Sequence, residues 1–275
     1  MSNVSIDVFP IAKTQVDRAQ VALWLERIGA DAYEVPDETT ASDPALLIAL
    51  AAKRCYMSFQ PGLNPNVTKV RKDMVEYIDN ILASDHGSVL EHAVYTFAIE
   101  GVSRVFTAEM NRHRAGWAIS EGSMRFIRFD KDIPWWMPKS IINEDTDDAD
   151  LRGRKLLTRA VFARVFEFVQ DCYAELLRIW DMPEGNHNFK YKKRVTSCLR
   201  RVVPMGVATG GVWTGNFRAL RHVLTMRGHE PSAEEEIFHV FGEKIAPMMI
   251  TAEPLLLGDF KFDADGSCVP SYRKV

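Results

Sequence analysis

The amino-acid sequence predicts an α+β fold, because it carries strand-like and helical patterns that do not alternate regularly. Residues 4–8 alternate apolar with polar side chains, and residues 93–100 (AVYTFAIE) are rich in aromatic and β-branched side chains, as strands are. Residues 156–180 have apolar side chains at helical spacing and predict the longest helix of the chain. No repeat or long linker interrupts the sequence, so we expect a single domain over residues 1–275.

Four further helices are predicted from the same spacing of apolar side chains. They cover residues 45–52, 67–82, 216–227 and 233–248. Ser103 is a good capping residue, and we expect it to start one more helix, which ends near Arg114. Residues 124–129 alternate again and predict a returning strand. The acidic residues 142–150 (INEDTDDAD) predict a surface loop within an insertion at about 139–153.

Composition and charge argue against several classes of protein. With 275 residues, 47% of them hydrophobic, the chain can bury a large core, and its formal net charge of −3 lacks the basic excess of a general nucleic-acid binder. The four cysteines are far apart and form no CxxC pair, which argues against a zinc site or a disulfide framework. The N-terminal residues show no signal-peptide pattern, and no apolar run approaches the roughly 20 residues that span a bilayer. We therefore expect a cytoplasmic protein that needs no metal, no membrane and no nucleic acid.

The richest concentration of chemically useful side chains lies at residues 112–126. Arg112, His113 and Arg114 stand there, followed by SEGSMRF at 120–126. Guanidinium groups bind phosphate in bidentate fashion, so this set suits an anionic ligand with several acceptors. The alternative is a solvated basic helix end, where arginine and histidine are favoured by the helix dipole.

A second unusual segment, HGSVLEH, lies just upstream at residues 86–92. His86 and His92 would suit a metal pair by residue type, but their spacing is not that of helical ligands, and no third ligand is evident. Ordinary hydrogen bonds near the start of a strand explain the two histidines equally well.

In combination, these segments resemble the signature of flavin-dependent thymidylate synthases. HGSVLEH is similar to the family's H-x-[ST]-x-x-E-H, and RHR with SEGSMRF is similar to R-H-R, seven residues and Ser, within N-E-x-S-x-R-[FY]. LRRVVP at 199–204 and NFR at 216–218 resemble the family's A-R-x-x-L-P and N-x-R segments. The resemblance runs, with gaps, over about residues 86–260, and it implies a mostly antiparallel sheet flanked by helices.

The resemblance also implies a reaction. A methyltransferase of this family moves a one-carbon unit from methylenetetrahydrofolate to C5 of dUMP and gives dTMP. FAD is the implied cofactor, NADPH and methylenetetrahydrofolate are the implied co-substrates, and the implied assembly is a homotetramer whose sites are shared between subunits. None of the four cysteines is followed by histidine, so the nucleophile of cysteine-dependent thymidylate synthases is missing. A flavin would carry the redox chemistry instead.

Matching the motifs residue by residue implies the site. The positions matched to FAD contacts are His86, Ser88, Glu91, Arg112, His113, Arg114, Asn216, Arg218 and His222. The positions matched to dUMP contacts are Arg112, Glu121, Gly122, Ser123, Met124, Arg125, Arg200 and Arg227. Arg227 falls where the family places an arginine against the pyrimidine ring, and it is the candidate catalytic residue because it would stabilise negative charge developing on uracil. By position alone, Arg227 would equally complement the dipole of a helix that ends at Gly228.

The chain departs from the family pattern in its loops. Eight residues rather than seven separate Arg114 from Ser123. Ser120 replaces the usual asparagine, and Glu109 replaces a glutamine. The segment 227–237 is one residue longer, and the family's histidine there has no clear match. Two alternatives stay open: a flavin-dependent pyrimidine nucleotide hydroxymethylase on the same fold, and a non-catalytic nucleotide- or RNA-binding relative.

Overall fold

The computed structural model describes residues 3–129, 131–143, 145–229 and 234–273. Its main sheet is mostly antiparallel, has the strand order β1-β2-β4-β3 and is flanked by helices, which confirms the predicted α+β class. The strands of this sheet are β1 Asp7–Lys13, β2 Val94–Ser103, β3 Trp117–Glu121 and β4 Ala208–Asn216. A separate antiparallel pair joins β5 Phe260–Phe262 to β6 Cys268–Pro270.

Eleven α-helices occur in the part of the chain that is described. They are α1 Arg18–Arg27, α2 Asp43–Tyr56, α3 Met74–Ala83, α4 Arg104–Met110, α5 Lys139–Ile142, α6 Ala149–Ile179, α7 Phe189–Leu199, α8 Phe217–Arg227, α9 Glu235–Phe238, α10 Ala246–Ala252 and α11 Pro254–Leu257. Short 3₁₀ helices cover Gly87–His92 and Arg200–Val202, and a π-helix covers His239–Ile245. Over these same residues, no helix combines the length and the apolar character that crossing a membrane requires.

The residues group into two compact units. The first unit contains Met1–Asp7, Ala98–Arg112 and Ile119–Val212, and the second contains Val8–Phe97, His113–Ala118 and Trp213–Val275. The expected single domain over residues 1–275 stays a prediction.

The first unit is organised around the long helix α6. Asp148 caps this helix by accepting hydrogen bonds from the backbone N–H groups of Asp150 and Leu151. Phe166 on the inner face stacks on the ring of Trp135 at a centroid distance of 3.7 Å, and both side chains are buried. This aromatic stack therefore fixes α6 against the segment around Trp135, between β3 and α5.

The second unit contains α8, which carries a buried ion pair. The guanidinium of Arg221 donates to both carboxylate oxygens of Asp259, at 2.6 and 2.8 Å, and to the carbonyl of Leu256. Both charged side chains are nearly inaccessible to solvent, and the bidentate geometry with a further carbonyl partner compensates for their desolvation. This pair holds the C-terminal segment on α8.

Several predicted elements are found with shifted ends. The expected helices at 45–52, 156–180 and 216–227 appear as α2, α6 and α8, and the strand at 93–100 appears as β2. The helix expected over 233–248 begins at Ala233, which lies outside the described residues; the described part divides into α9, the π-helix and α10. The opening strand is β1 rather than residues 4–8.

Three predictions in the first half of the chain were wrong. Helix α3 starts only at Met74, because Asp73 caps it and the Lys53 ammonium donates to the carbonyl of Arg71. Helix α4 ends at Met110 rather than near Arg114. Residues 124–129 form no strand, because the N–H groups of residues 126 and 127 both turn back to the carbonyl of residue 123.

The predicted insertion at 139–153 is only partly a loop. Helix α5 occupies its start, and the Asp148 cap begins α6 inside it. Glu144 lies outside the described residues.

Candidate functional site

A cleft of about 510 Å³ in the first unit collects most of the residues that were predicted to hold a nucleotide. Its lining consists of Arg104, Glu121, Gly122, Ser123, Met124, Arg200, Arg201 and Val203. The structure therefore brings five of the eight predicted dUMP residues together on one surface. Arg125 is exposed beside this loop without lining the cleft.

The loop 121–123 is held against strand β4 by its backbone. The N–H of Gly122 donates to the carbonyl of Gly210 at 2.8 Å. A Cβ atom at Gly122 would lie 2.7 Å from Thr209 Oγ1, so only glycine fits this approach without a shift. The carbonyl of Ser123 then accepts two N–H groups at 2.9 Å each, which closes a turn and presents the serine side chain to the cleft.

The opposite wall is basic. Arg200 and Arg201 occupy the short 3₁₀ helix that follows α7, whose last residue, Leu199, is buried and anchors the turn. Arg200 is half-buried, and Arg201 donates to the carbonyl of Ser197 at 2.8 Å. Sequence reasoning favoured Arg200 alone, whereas the structure lines the cleft with both arginines.

Arg104, like Arg201 and Val203, lines the cleft but was not among the predicted site residues. It is the first residue of α4, where a cation is unfavourable because the helix N-terminus carries the positive end of the dipole. Its guanidinium instead donates to Glu121 Oε2 at 2.5 Å and to the carbonyl of Gly122. An arginine directly after the predicted cap Ser103 is unfavourable for the helix, so this position in the sequence could have indicated that Arg104 has a specific acidic partner.

Arg112 lies apart from this cleft. Its side chain is 74% exposed and is 3.5 Å from the carboxylate of Glu109, three residues earlier. The glutamate that stands at position 109 in place of the family's glutamine thus has the guanidinium of Arg112 beside it.

In the second unit, two histidines that were predicted to contact FAD cluster with Arg227, which was predicted to be catalytic and to contact dUMP. Arg227, the last residue of α8, donates from Nε to His113 Nε2 at 3.3 Å. The His113 ring also meets the ring of His222 edge-on, at a centroid distance of 5.8 Å. Arg227 is therefore held by a side chain and does more than complement the helix dipole.

A second pair of predicted FAD residues lies at the start of the same helix. Arg218 donates to the carboxylate of Glu91 at 2.6 Å, and both side chains are about half exposed. Asn216 caps α8 by accepting from the N–H of Ala219 at 2.8 Å, and its own N–H donates to the carbonyl of Gly116. Gly116 has φ +76° and packs on Asn216, so the turn after the RHR motif requires glycine.

The remaining predicted FAD residues lie on exposed or partly exposed positions of the second unit. Ser88 and Arg114 are exposed, and His86 is half-buried. The His86 ring stacks on Tyr56 at 5.8 Å, with Nε2 at 3.3 Å from the phenol oxygen. Tyr56 was not among the predicted site residues.

Within the described residues, no three histidine, cysteine, aspartate or glutamate side chains are arranged to hold a metal ion.

Comparison with known proteins gives the family. Residues 37–251 match the family described as thymidylate synthase complementing protein. The flavin-dependent thymidylate synthases of Mycobacterium sp. (strain JLS) and Mycobacterium bovis (strain BCG / Pasteur 1173P2) are 31% and 33% identical to this chain. These matches cover 85% of this chain and 87% of each relative. The chain therefore belongs to the flavin-dependent thymidylate synthase family.

Solved structures share the fold. The UMP/dUMP methylase PolB from Streptomyces cacaoi, bound with 5-Br dUMP, has a TM-score of 0.62 to this chain. The match covers 93% of this chain and 94% of the PolB chain. A second structure of that enzyme, bound with 5-Br UMP, has a TM-score of 0.61 with 97% coverage on both sides. At 18% sequence identity, this likeness concerns the fold alone.

Proposed function

We propose that the protein is a flavin-dependent thymidylate synthase, which transfers a one-carbon unit from methylenetetrahydrofolate to C5 of dUMP, with reduction by FADH₂ and NADPH, to give dTMP. The observation that carries this proposal is the cleft of the first unit. Its loop 121–124 has the family's sequence pattern, and its opposite wall carries Arg200 of the LRRVVP segment.

The cleft suits a nucleotide 5′-phosphate. Arg200 and Arg201 offer planar guanidinium donors, and Ser123 offers a hydroxyl from the other wall. Guanidinium–phosphate contacts are strong and directional, so they would fix the orientation of the nucleotide. The side chains of Met124 and Val203 supply apolar contacts beside these groups.

The donor set of the second unit fits FAD. Its pyrophosphate needs cationic donors, which Arg114 and Arg218 offer from exposed positions, and its ring needs polar and aromatic neighbours, which His86, His113 and His222 offer. When bound, the flavin supplies the reducing equivalents for the methyl group, and NADPH and methylenetetrahydrofolate serve as co-substrates. The residues of this chain would bind and orient these molecules.

Arg227 is the proposed catalytic residue. A cation held in a fixed orientation stabilises negative charge that develops on a ring, because the charged group does not have to reorient during the reaction. The hydrogen bond from Arg227 Nε to His113 supplies that fixed orientation.

A homotetramer is the proposed assembly. Helix α6 supports it, because its outer face is apolar and exposed, with Leu157 at 70% and Phe168 at 68% exposure. Val161 and Val165 lie between them on the same helical stripe and are also exposed. Contiguous exposed apolar surface of this kind marks protein–protein contacts. Light scattering on the purified protein tests the assembly.

Product mass tests the reaction. Purified protein is incubated anaerobically with dUMP, methylenetetrahydrofolate, FAD and NADPH, and the nucleotide is analysed by mass spectrometry. Net addition of CH₂ supports the proposal, and unchanged dUMP refutes it. A parallel incubation with UMP tests the ribonucleotide, because the PolB neighbour is a UMP/dUMP methylase.

The hydroxymethylase stays the second candidate. The longer segment between Arg114 and Ser123 favours it, since this segment forms β3 and leads straight into the cleft loop. Net addition of CH₂O to the nucleotide would identify that activity.

A further inference from the structure

Both carboxylate oxygens of Glu121 are occupied by partners from the same chain. Oε2 accepts from the Arg104 guanidinium at 2.5 Å, and Oε1 accepts from the Asn111 amide at 2.7 Å. The Glu121 side chain is only 18% exposed. The carboxylate is thus committed to the protein, although it lies at the wall of the cleft.

Arg104 is held as firmly as its partner. Its second guanidinium nitrogen donates to the carbonyl of Gly122, and its backbone N–H donates to the carbonyls of Met205 and Val207. The Arg104 side chain is mostly buried. One residue therefore joins the loop 121–122 to the chain leading into β4.

The charges of the cleft depend on this contact. Three guanidinium groups, those of Arg104, Arg200 and Arg201, stand against the single carboxylate of Glu121, which leaves a net charge of +2 among the lining residues. A phosphate monoester carries about −1.5 to −2 charges near neutral pH, so the two are complementary. Without Arg104, the Glu121 carboxylate would face the phosphate with its charge uncompensated.

We infer that Arg104 is a positioning residue for nucleotide binding: it neutralises Glu121 and fixes Gly122, so that the cleft accepts a 5′-phosphate beside a carboxylate. The inference rests on the proposed function, since it takes the nucleotide of that reaction as the ligand. Arg104 acts through Glu121 and Gly122 rather than by touching the phosphate.

Calorimetric titration of the flavin-loaded protein with dUMP tests the inference. Arg104→Gln should raise the Kd for dUMP roughly 30-fold or more, because it leaves a charge beside the phosphate unpaired. Binding of deoxyuridine, which has no phosphate, should change much less. Arg104→Lys keeps the charge but cannot make both contacts, so its loss should be smaller.

The double variant R104Q/E121Q separates positioning from direct contact. Removing both charges keeps the net charge of the lining at its original value, so dUMP affinity should return to within about fivefold of the wild type. If Arg104 touched the phosphate itself, E121Q would give no rescue, and that result would overturn the inference. Equal losses for dUMP and deoxyuridine in R104Q would also overturn it, because they would indicate a general collapse of the site.

Two further measurements complete the design. Arg152→Gln removes an arginine of the same unit that donates to the carbonyl of Thr146 outside the cleft, and it should leave the Kd unchanged. A wild-type protein that binds no dUMP would refute the proposed function and the inference together. Wild-type binding with an unaffected R104Q variant would refute the inference alone.

Discussion

Replacing Gly122 with alanine should distort the nucleotide cleft by a clash that can be located in the structure. The new Cβ would lie 2.7 Å from Thr209 Oγ1 and 3.2 Å from the Cδ1 atom of Ile127. The isoleucine terminus can move aside, but the threonine oxygen belongs to a short β-branched side chain with restricted rotamers. Overpacking of this kind costs about 1–3 kcal/mol. For a chain of 275 residues, that loss corresponds to a decrease in Tm of about 2–6 °C.

The clash should also affect function. The N–H of Gly122 bonds to Gly210, and displacing it would move Ser123, which follows directly. Small displacements of positioning groups cost one to two powers of ten in rate or affinity, so the KM for dUMP should rise about tenfold or more. Steady-state kinetics with dUMP and a thermal melt measure the two effects.

A matched background tests the cause. Thr209→Ala removes the oxygen that the new methyl group meets, and its only hydrogen bond in the described part of the chain, to the carbonyl of Gly210, is long at 3.5 Å. In the Thr209→Ala background, Gly122→Ala should cost less than half of its effect in the wild type. An equal cost in both backgrounds would show that the contact with Thr209 is not the source of the loss.

Three other predictions concern separate parts of the molecule. Arg227→Ala should lower kcat at least about 100-fold, while the flavin, followed by its absorbance, stays bound to the protein. Normal turnover would show that Arg227 is not part of the mechanism. Leu157→Glu should dissociate the proposed homotetramer in light scattering, whereas the same change at exposed Val75 on α3 should not. Burial raises the pKa of Glu253 in the folded protein above its ordinary value of 4.5. The protonated carboxyl therefore contributes fully to the free energy of unfolding below pH 4.5, and this contribution is lost as the pH rises through the pKa of the folded state. Glu253→Gln should remove this loss, seen as a urea midpoint that falls less between pH 5 and pH 8 than that of the wild type.

Helix α8, which carries several of the candidate site residues, could be predicted from local sequence, whereas the roles of those residues came from the resemblance to the family. The N-cap of α8 at Asn216, the helix itself and Arg227 at its end all follow from residues within 12 positions of one another. Capping and helical periodicity are local interactions, so one sequence carries the information they need. Periodicity also predicted α6 over residues 156–180, but its capping residue Asp148 lay in the stretch that was predicted to be a surface loop.

The errors arose where long-range contacts decide the local structure. Residues 124–129 alternate like a strand, but the chain turns at Ser123, directly after the backbone hydrogen bond from Gly122 to Gly210 of β4. The strand is β3 instead, and its partner β4 lies about 90 residues further along the chain. Pairing over that separation depends on the tertiary fold, which local periodicity does not encode. The partnership of Arg104 with Glu121 was hidden for the same reason.

Two carboxylates in the segments matched to the family, one of them a departure from its pattern, have guanidinium partners. Glu109, which replaces a glutamine, lies 3.5 Å from Arg112, and Glu121 at the cleft wall is paired with Arg104. Each of these two carboxylates thus has a guanidinium partner that is close in sequence or in space. A phosphate-binding surface tolerates acidic residues only when their charge is neutralised, because an unpaired carboxylate would repel the ligand. The pairing of Glu121 with Arg104 therefore leaves the cleft suited to an anionic ligand, as the proposed function requires.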